Sequence, residues 1–115
     1  MIGEIKMNTL SIEYDTLKCG DTSHSFVLSA AEDGITQTFT DASQVVVKVG
    51  DSNLKQVATL DTLVNDDGSL IASSANLAGL PAGQYSVELW QTTDTGVVVY
   101  PSNGQAIITL MPSIN

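Results

Sequence analysis

His24 is the one histidine of the sequence and lies between Ser23 and Ser25, so a serine-type triad would have to join it to an aspartate from elsewhere in the chain. In that setting it reads as a loop histidine. A single cysteine, Cys19, beside a single histidine falls short of the nitrogen and sulfur ligands of a closed zinc site. Asp61, Asn65, Asp66 and Asp67 put hard oxygen atoms within one short segment, which suits calcium chemically. Their spacing does not, because Leu63 stands at a ligand position and no glutamate closes the run. Turn preference explains Asn65-Asp66-Asp67-Gly68. Tyr100-Pro101-Ser102-Asn103-Gly104 lacks the first glycine of a nucleophile elbow and lies between strands, where the elbow needs a strand-to-helix turn. No glycine-rich phosphate loop follows a strand, and the 13 acidic residues single out no pair for glycoside hydrolysis. The expectation is a protein that is not an enzyme, with no catalytic residue, no metal and no cofactor.

Binding chemistry is what remains. An aromatic ring can lie against the face of a sugar, and Tyr14, Tyr85, Tyr100 and Trp90 are the candidates. Tyr85, Val87 and Leu89 alternate with Ser86 and Glu88, the period of a half-buried strand, so Tyr85 faces inward. Trp90 falls on the wet side with Ser86 and Glu88. An indole there leaves apolar surface in water unless something covers it. The expected cover is the Tyr100-to-Gly104 turn or a partner subunit.

The elements that would position these residues are short strands. Ile5 to Tyr14 reads as a first strand, bent near Asn8 because Ile5 and Met7 have the parity opposite to Leu10, Ile12 and Tyr14. Leu17 to Ser23 reads as a loop. Phe26 and Leu28 give Ser25 to Ala30 its inner face, Glu32-Asp33-Gly34 turns the chain, and Ile35 to Phe39 is a short return strand. Val45, Val47 and Val49 share a face of the next strand, and Lys55 to Leu63 is its hairpin partner after the Gly50-Asp51-Ser52-Asn53 turn. Asn65 to Gly68 leads into Ser69 to Ala72. Ser73 to Leu80 contains one helical turn capped by Ser73 or Ser74 and stopped at Gly79. The Tyr85 strand, Val97 to Tyr100 and Gln105 to Met111 close the chain. Some seven to nine short strands, parted by Gly, Asp and Asn turns, imply an all-β fold: a two-sheet antiparallel β-sandwich with immunoglobulin-like proportions. Val45, Val47, Val49, Tyr85, Val87, Leu89, Ala106, Ile108 and Leu110 are its expected core.

At 115 residues the chain is expected to form one domain, 1–115, able to bury about two-thirds of its unfolded surface. Four basic against 13 acidic residues give a formal charge of −9, which repels nucleic acid and anionic membranes alike. One cysteine permits no internal disulfide. The opening residues hold no apolar run of signal-peptide length, and nothing later approaches a membrane span.

Leu80-Pro81-Ala82-Gly83-Gln84-Tyr85, then Glu88-Leu89-Trp90, then Tyr100-Pro101-Ser102-Asn103-Gly104 resemble the N-terminal domain of the baseplate upper proteins of tailed phages that infect Gram-positive bacteria. The likeness is clearest from Gly79 to Leu110 and extends to Asp41-Ala42-Ser43 and the strand from Val45. The resemblance implies a docking module that attaches the receptor-binding apparatus to the tail core. Its partners would be other baseplate proteins in an oligomeric assembly, and its location the virion, assembled in the host cytoplasm. Trp90, Glu88, Tyr100, Ser102 and Asn103 would contribute to a protein interface. A carbohydrate-binding or adhesin domain of an extracellular surface protein is the alternative, with a glycan as its ligand.

Overall fold

The computed structural model describes residues 7–114. Among the described residues eleven strands form two sheets. The first sheet contains β1 (Asn8–Glu13), β3 (Ser25–Glu32), β8 (Leu70–Ser73) and β7 (Thr62–Val64) in that order, with β4 (Ile35–Thr36) paired to β3. The second runs β2 (Thr16–Lys18), β11 (Ala106–Met111), β9 (Gly83–Thr93), β5 (Val45–Gly50) and β6 (Gln56–Leu60), with β10 (Gly96–Tyr100) paired to β9. The all-β, two-sheet sandwich expected from the sequence is the architecture observed.

Strand β9 organises the second sheet because it is long enough to take three neighbours. Its Gly83–Val87 half pairs with β11, its Leu89–Thr93 half with β10, and β5 runs along the opposite edge. Its inward residues Tyr85, Val87 and Leu89 meet Val45, Val47 and Val49 of β5, and Ile108 and Leu110 of β11, over Phe26, Leu28, Leu70 and Ala72 of the facing sheet. All nine expected core positions are buried. Strand alternation is thus obeyed wherever one face is dry, as a two-layer core requires.

Four expectations need correction. The Leu17–Ser23 loop contains β2, which lies parallel to β11 with Leu17 beside Leu110. A three-residue strand with one buried apolar residue carries no readable period. The long partner strand Lys55 to Leu63 is broken at Asp61: β6 pairs with β5 in one sheet, and β7 pairs with β8 in the other. The carbonyl of Asp61 accepts from the Ser73 amide at 2.9 Å, so the chain crosses between layers without losing its backbone bond. Tyr14 leaves the alternation of β1 altogether, standing exposed with φ +59°. The return strand from Ile35 extends only to Thr36, after which Phe39 dips into the core. The bend expected between Ile5 and Asn8 reaches outside the described residues.

The helical turn is a 3-10 turn, Ala75–Leu77, with Gly79 beyond it at φ +85°. Ser73 Oγ accepts from the Ala75 amide. Ser74 is fully buried instead, and its hydroxyl donates to the Asp21 carbonyl and accepts from the His24 amide, tying the 21–24 loop to the sandwich.

Candidate interaction face

The outward positions of the second sheet are set by register. Val46 stands opposite Trp90, and Trp90 opposite Val99, so three neighbouring strands present one apolar tier. The next tier is Thr59, Lys48 and Glu88, and the third is Gly50, Ser86 and Ile107. Val46 is 45% exposed, and Val97, further along β10, is 56% exposed.

Trp90 is half-buried on this outer face, as alternation requires, and the side chains that lie against it come from its own sheet and not from the Tyr100-to-Gly104 turn. Its Nε1–H donates to Glu88 Oε1 at 3.0 Å, so the indole lies back along its own strand. The Lys48 ammonium sits 3.6 Å from the ring centroid. A cation over an indole face is attracted by the ring's quadrupole. Two long side chains, one from the same strand and one from its neighbour, therefore hold the ring in place.

Beside the ring the face dips. Gly50 and Ser86 give the floor almost no side chain, and Lys48, Leu54, Gln56, Glu88 and Trp90 form the walls of a cavity of ≈190 Å³. Leu54 overhangs it from the β5–β6 turn at φ +61° and is 62% exposed. A leucine held in the left-handed region is strained by roughly 1–2 kcal/mol. Asp51 holds the turn, its Oδ1 accepting from the Asn53 and Lys55 amides. The outer face of the other sheet has an apolar tier of its own, Val27, Ile71 and Leu63, but no aromatic residue at its outward strand positions.

The remaining sequence candidates separate. Glu88 belongs to the face. Tyr100 does not: it is the inward end of β10, 0% exposed, and its hydroxyl donates to Glu32 Oε1 at 3.0 Å, with Gln91 Oε1 at 3.3 Å. Its assignment to an interface is corrected on that ground. Ser102 and Asn103 are exposed on the following turn. Ser102 fastens that turn to the first strand, its amide donating to the Asn8 carbonyl and its hydroxyl accepting from the Asn8 amide. Lys48 and Leu54, which sequence reasoning missed, reach the site from another strand and its turn. The strong valine pattern of β5 was the signal for Lys48, since it fixes Lys48 as outward-facing.

The residues with chemical potential elsewhere are engaged in the fold. His24 Nε2 lies 2.6 Å from the Tyr14 carbonyl, which only accepts, so that nitrogen bears the proton. The ring meets Phe26 edge-on, centroids 4.9 Å apart. Asp67 accepts from the hydroxyl and amide of Ser69, and these bonds hold its carboxyl below the ordinary value. Asp21 is lowered in the same way by the amide and then the hydroxyl of Ser23. Asp61, Asp66 and Asp67 do not converge: among the described residues no three His, Cys, Asp or Glu side chains form a group that could hold a metal ion.

Among solved structures, the crystal structure of CopC from Methylosinus trichosporium OB3b is similar to this chain in fold, with a TM-score of 0.55 and 16% sequence identity over 94% of this chain and 97% of that one. No family model and no curated protein sequence matches. The expectation of a phage baseplate docking module is overturned on this finding, since the full-length likeness in fold is to CopC and not to a baseplate component. The motifs behind that expectation have a local explanation. Gly83, at φ +152°, begins a strand, Tyr85 donates its hydroxyl to the Pro81 carbonyl, and Tyr100 fills the core. These are turn and packing requirements of a β-sandwich, free to recur in unrelated chains.

Proposed function

We propose that this chain is a non-enzymatic protein-recognition module that docks through the outer face of its second sheet. The observation that carries the reading is the tier Val46, Trp90 and Val99 beside a preformed dip overhung by Leu54. Interfaces place aromatic anchors among aliphatic side chains at their centre, with polar groups around them. A leucine kept exposed in a strained backbone conformation supports it further, because such strain is retained where the side chain is put to use. The absence of enzymatic activity is supported by the engagement of His24 and of the turn aspartates in structural hydrogen bonds. A glycan ligand is less well supported. The Lys48 ammonium lies where a sugar ring would stack on the indole, and the dip is smaller than the roughly 300–1,000 Å³ of typical ligand pockets.

Site-specific photo-cross-linking in the producing cell tests the reading. A benzoylphenylalanine placed at Val46 is expected to give a discrete protein adduct, and the same probe at Leu63, exposed on the opposite sheet, is expected to give none. Adducts at both positions, or at neither, would sink the assignment of this face.

A further inference from the structure

We infer that the partner of this face is a second copy of the same chain, stacked face to face about a two-fold axis that runs along the strands between β5 and β9. The inference rests on the proposed docking face and names its occupant. It follows from register. Val46 is opposite Trp90, Lys48 opposite Glu88, and Gly50 opposite Ser86. An axis lying in the interface between these strands exchanges them, so each residue comes to lie over its own cross-strand neighbour in the other copy. Val46 then meets the indole of the second copy, the Lys48 ammonium meets the second copy's Glu88 carboxylate, and glycine meets serine. Apolar faces apolar, cation faces anion, and small faces small. The arrangement also gives Lys48 an alternative to its own Trp90 and frees the ring for Val46 of the second copy.

Charge selects the same surface. Lys48 and Glu88 are the charged side chains of the three tiers, so the face sums to zero in a chain of formal charge −9. Two copies of so acidic a chain repel less through a face that sums to zero than through their acidic turns. The size is sufficient for a modest association. β6, β5, β9 and the shared β10 and β11 edge stand four abreast, about 4.8 Å apart, and the three tiers span about six residues at about 3.3 Å each, a face of roughly 400 Å² per copy. The pair would bury about 800 Å², the size of a weak, transient interface. The dimer should therefore dissociate on the order of 10 μM or weaker.

Sedimentation equilibrium over a micromolar concentration series tests this. The unaltered chain is expected to pass from monomer to dimer. Lys48→Glu and Glu88→Lys, each alone, place like charges across the axis and should weaken dimerisation about tenfold or more. An equimolar mixture of the two variants should dimerise again, because each then offers the charge the other lacks. Circular dichroism melts establish that both variants are folded. A chain that stays monomeric at every concentration, or a mixture that associates no better than its components, overturns the inference. If it is monomeric while a probe at Val46 still cross-links a different protein, the two-fold dimer falls and the docking face stands. If that cross-link is missing too, both fall.

Discussion

Tyr100 illustrates how far a single residue could be judged from its neighbours in sequence. It stands in a Tyr-Pro-Ser-Asn-Gly turn, which made it an interface candidate, but it is also the last residue of β10, where pairing with Leu89 turns it inward. Parity counted along β10 would have placed it there. Trp90 and Glu88 were legible as outward neighbours because both lie on one strand. Lys48 was legible as outward-facing but not as the neighbour of Trp90, because its position over the indole depends on which strand pairs with which, a long-range fact that no local pattern contains. Burial, followed by the hydrogen bond and the charge of Glu32, pushes the Tyr100 hydroxyl from 10.0 up to about 12. The neutral phenol is thus the form that the fold favours. Its contribution is whole below the unfolded-state value near 10 and is lost as pH rises toward 12. Tyr100→Phe should cost about 1 kcal/mol at neutral pH through the missing hydrogen bond. The gap between wild type and variant in urea melts should then close between about pH 10 and 12. A gap that stays constant across that range would mean the hydroxyl is not held as described.

At the scale of elements, strands with a dry face and several β-branched residues, such as β5 and β9, could be read directly. Those defined by a partner, such as β2 against β11 or β7 after the break at Asp61, could not. Turns were legible in type but not in attachment. The Asn65–Gly68 turn is fastened to the segment that follows β4: the Gly68 carbonyl accepts from the Phe39 amide at 2.8 Å. Gly68 has φ +86°, and a Cβ there would come 2.5 Å from Thr38 Cβ. Gly20 has the same φ with nothing within 4 Å. The two glycines therefore separate backbone strain from close approach. Gly20→Ala should cost about 1–2 kcal/mol. Gly68→Ala should add about 1–3 kcal/mol of steric conflict. Equal losses in denaturant melts would show that Thr38 yields freely and that the attachment is loose.

For the whole molecule, composition and turn spacing sufficed for a two-sheet sandwich, but function did not follow from the fold. Its layout matches that of CopC at 16% identity, a distance at which surface chemistry is free to differ. What distinguishes this molecule is where its charge is absent. Two bodies of formal charge −9 repel at long range, whereas the Lys48 and Glu88 contacts of a face-to-face dimer act at short range between partly covered groups. Added salt screens the first more than the second, since the screening length falls from about 30 Å at 0.01 M to about 8 Å at 0.15 M. Self-association should accordingly tighten as ionic strength rises from low to physiological values. A basic partner drawn to the same acidic molecule would show the reverse, binding more weakly with salt as its attraction is screened. The sign of the salt dependence in sedimentation or light scattering thus tests which kind of surface the sheet was built to meet. Weakening of self-association on adding salt would count against the neutral, self-complementary face.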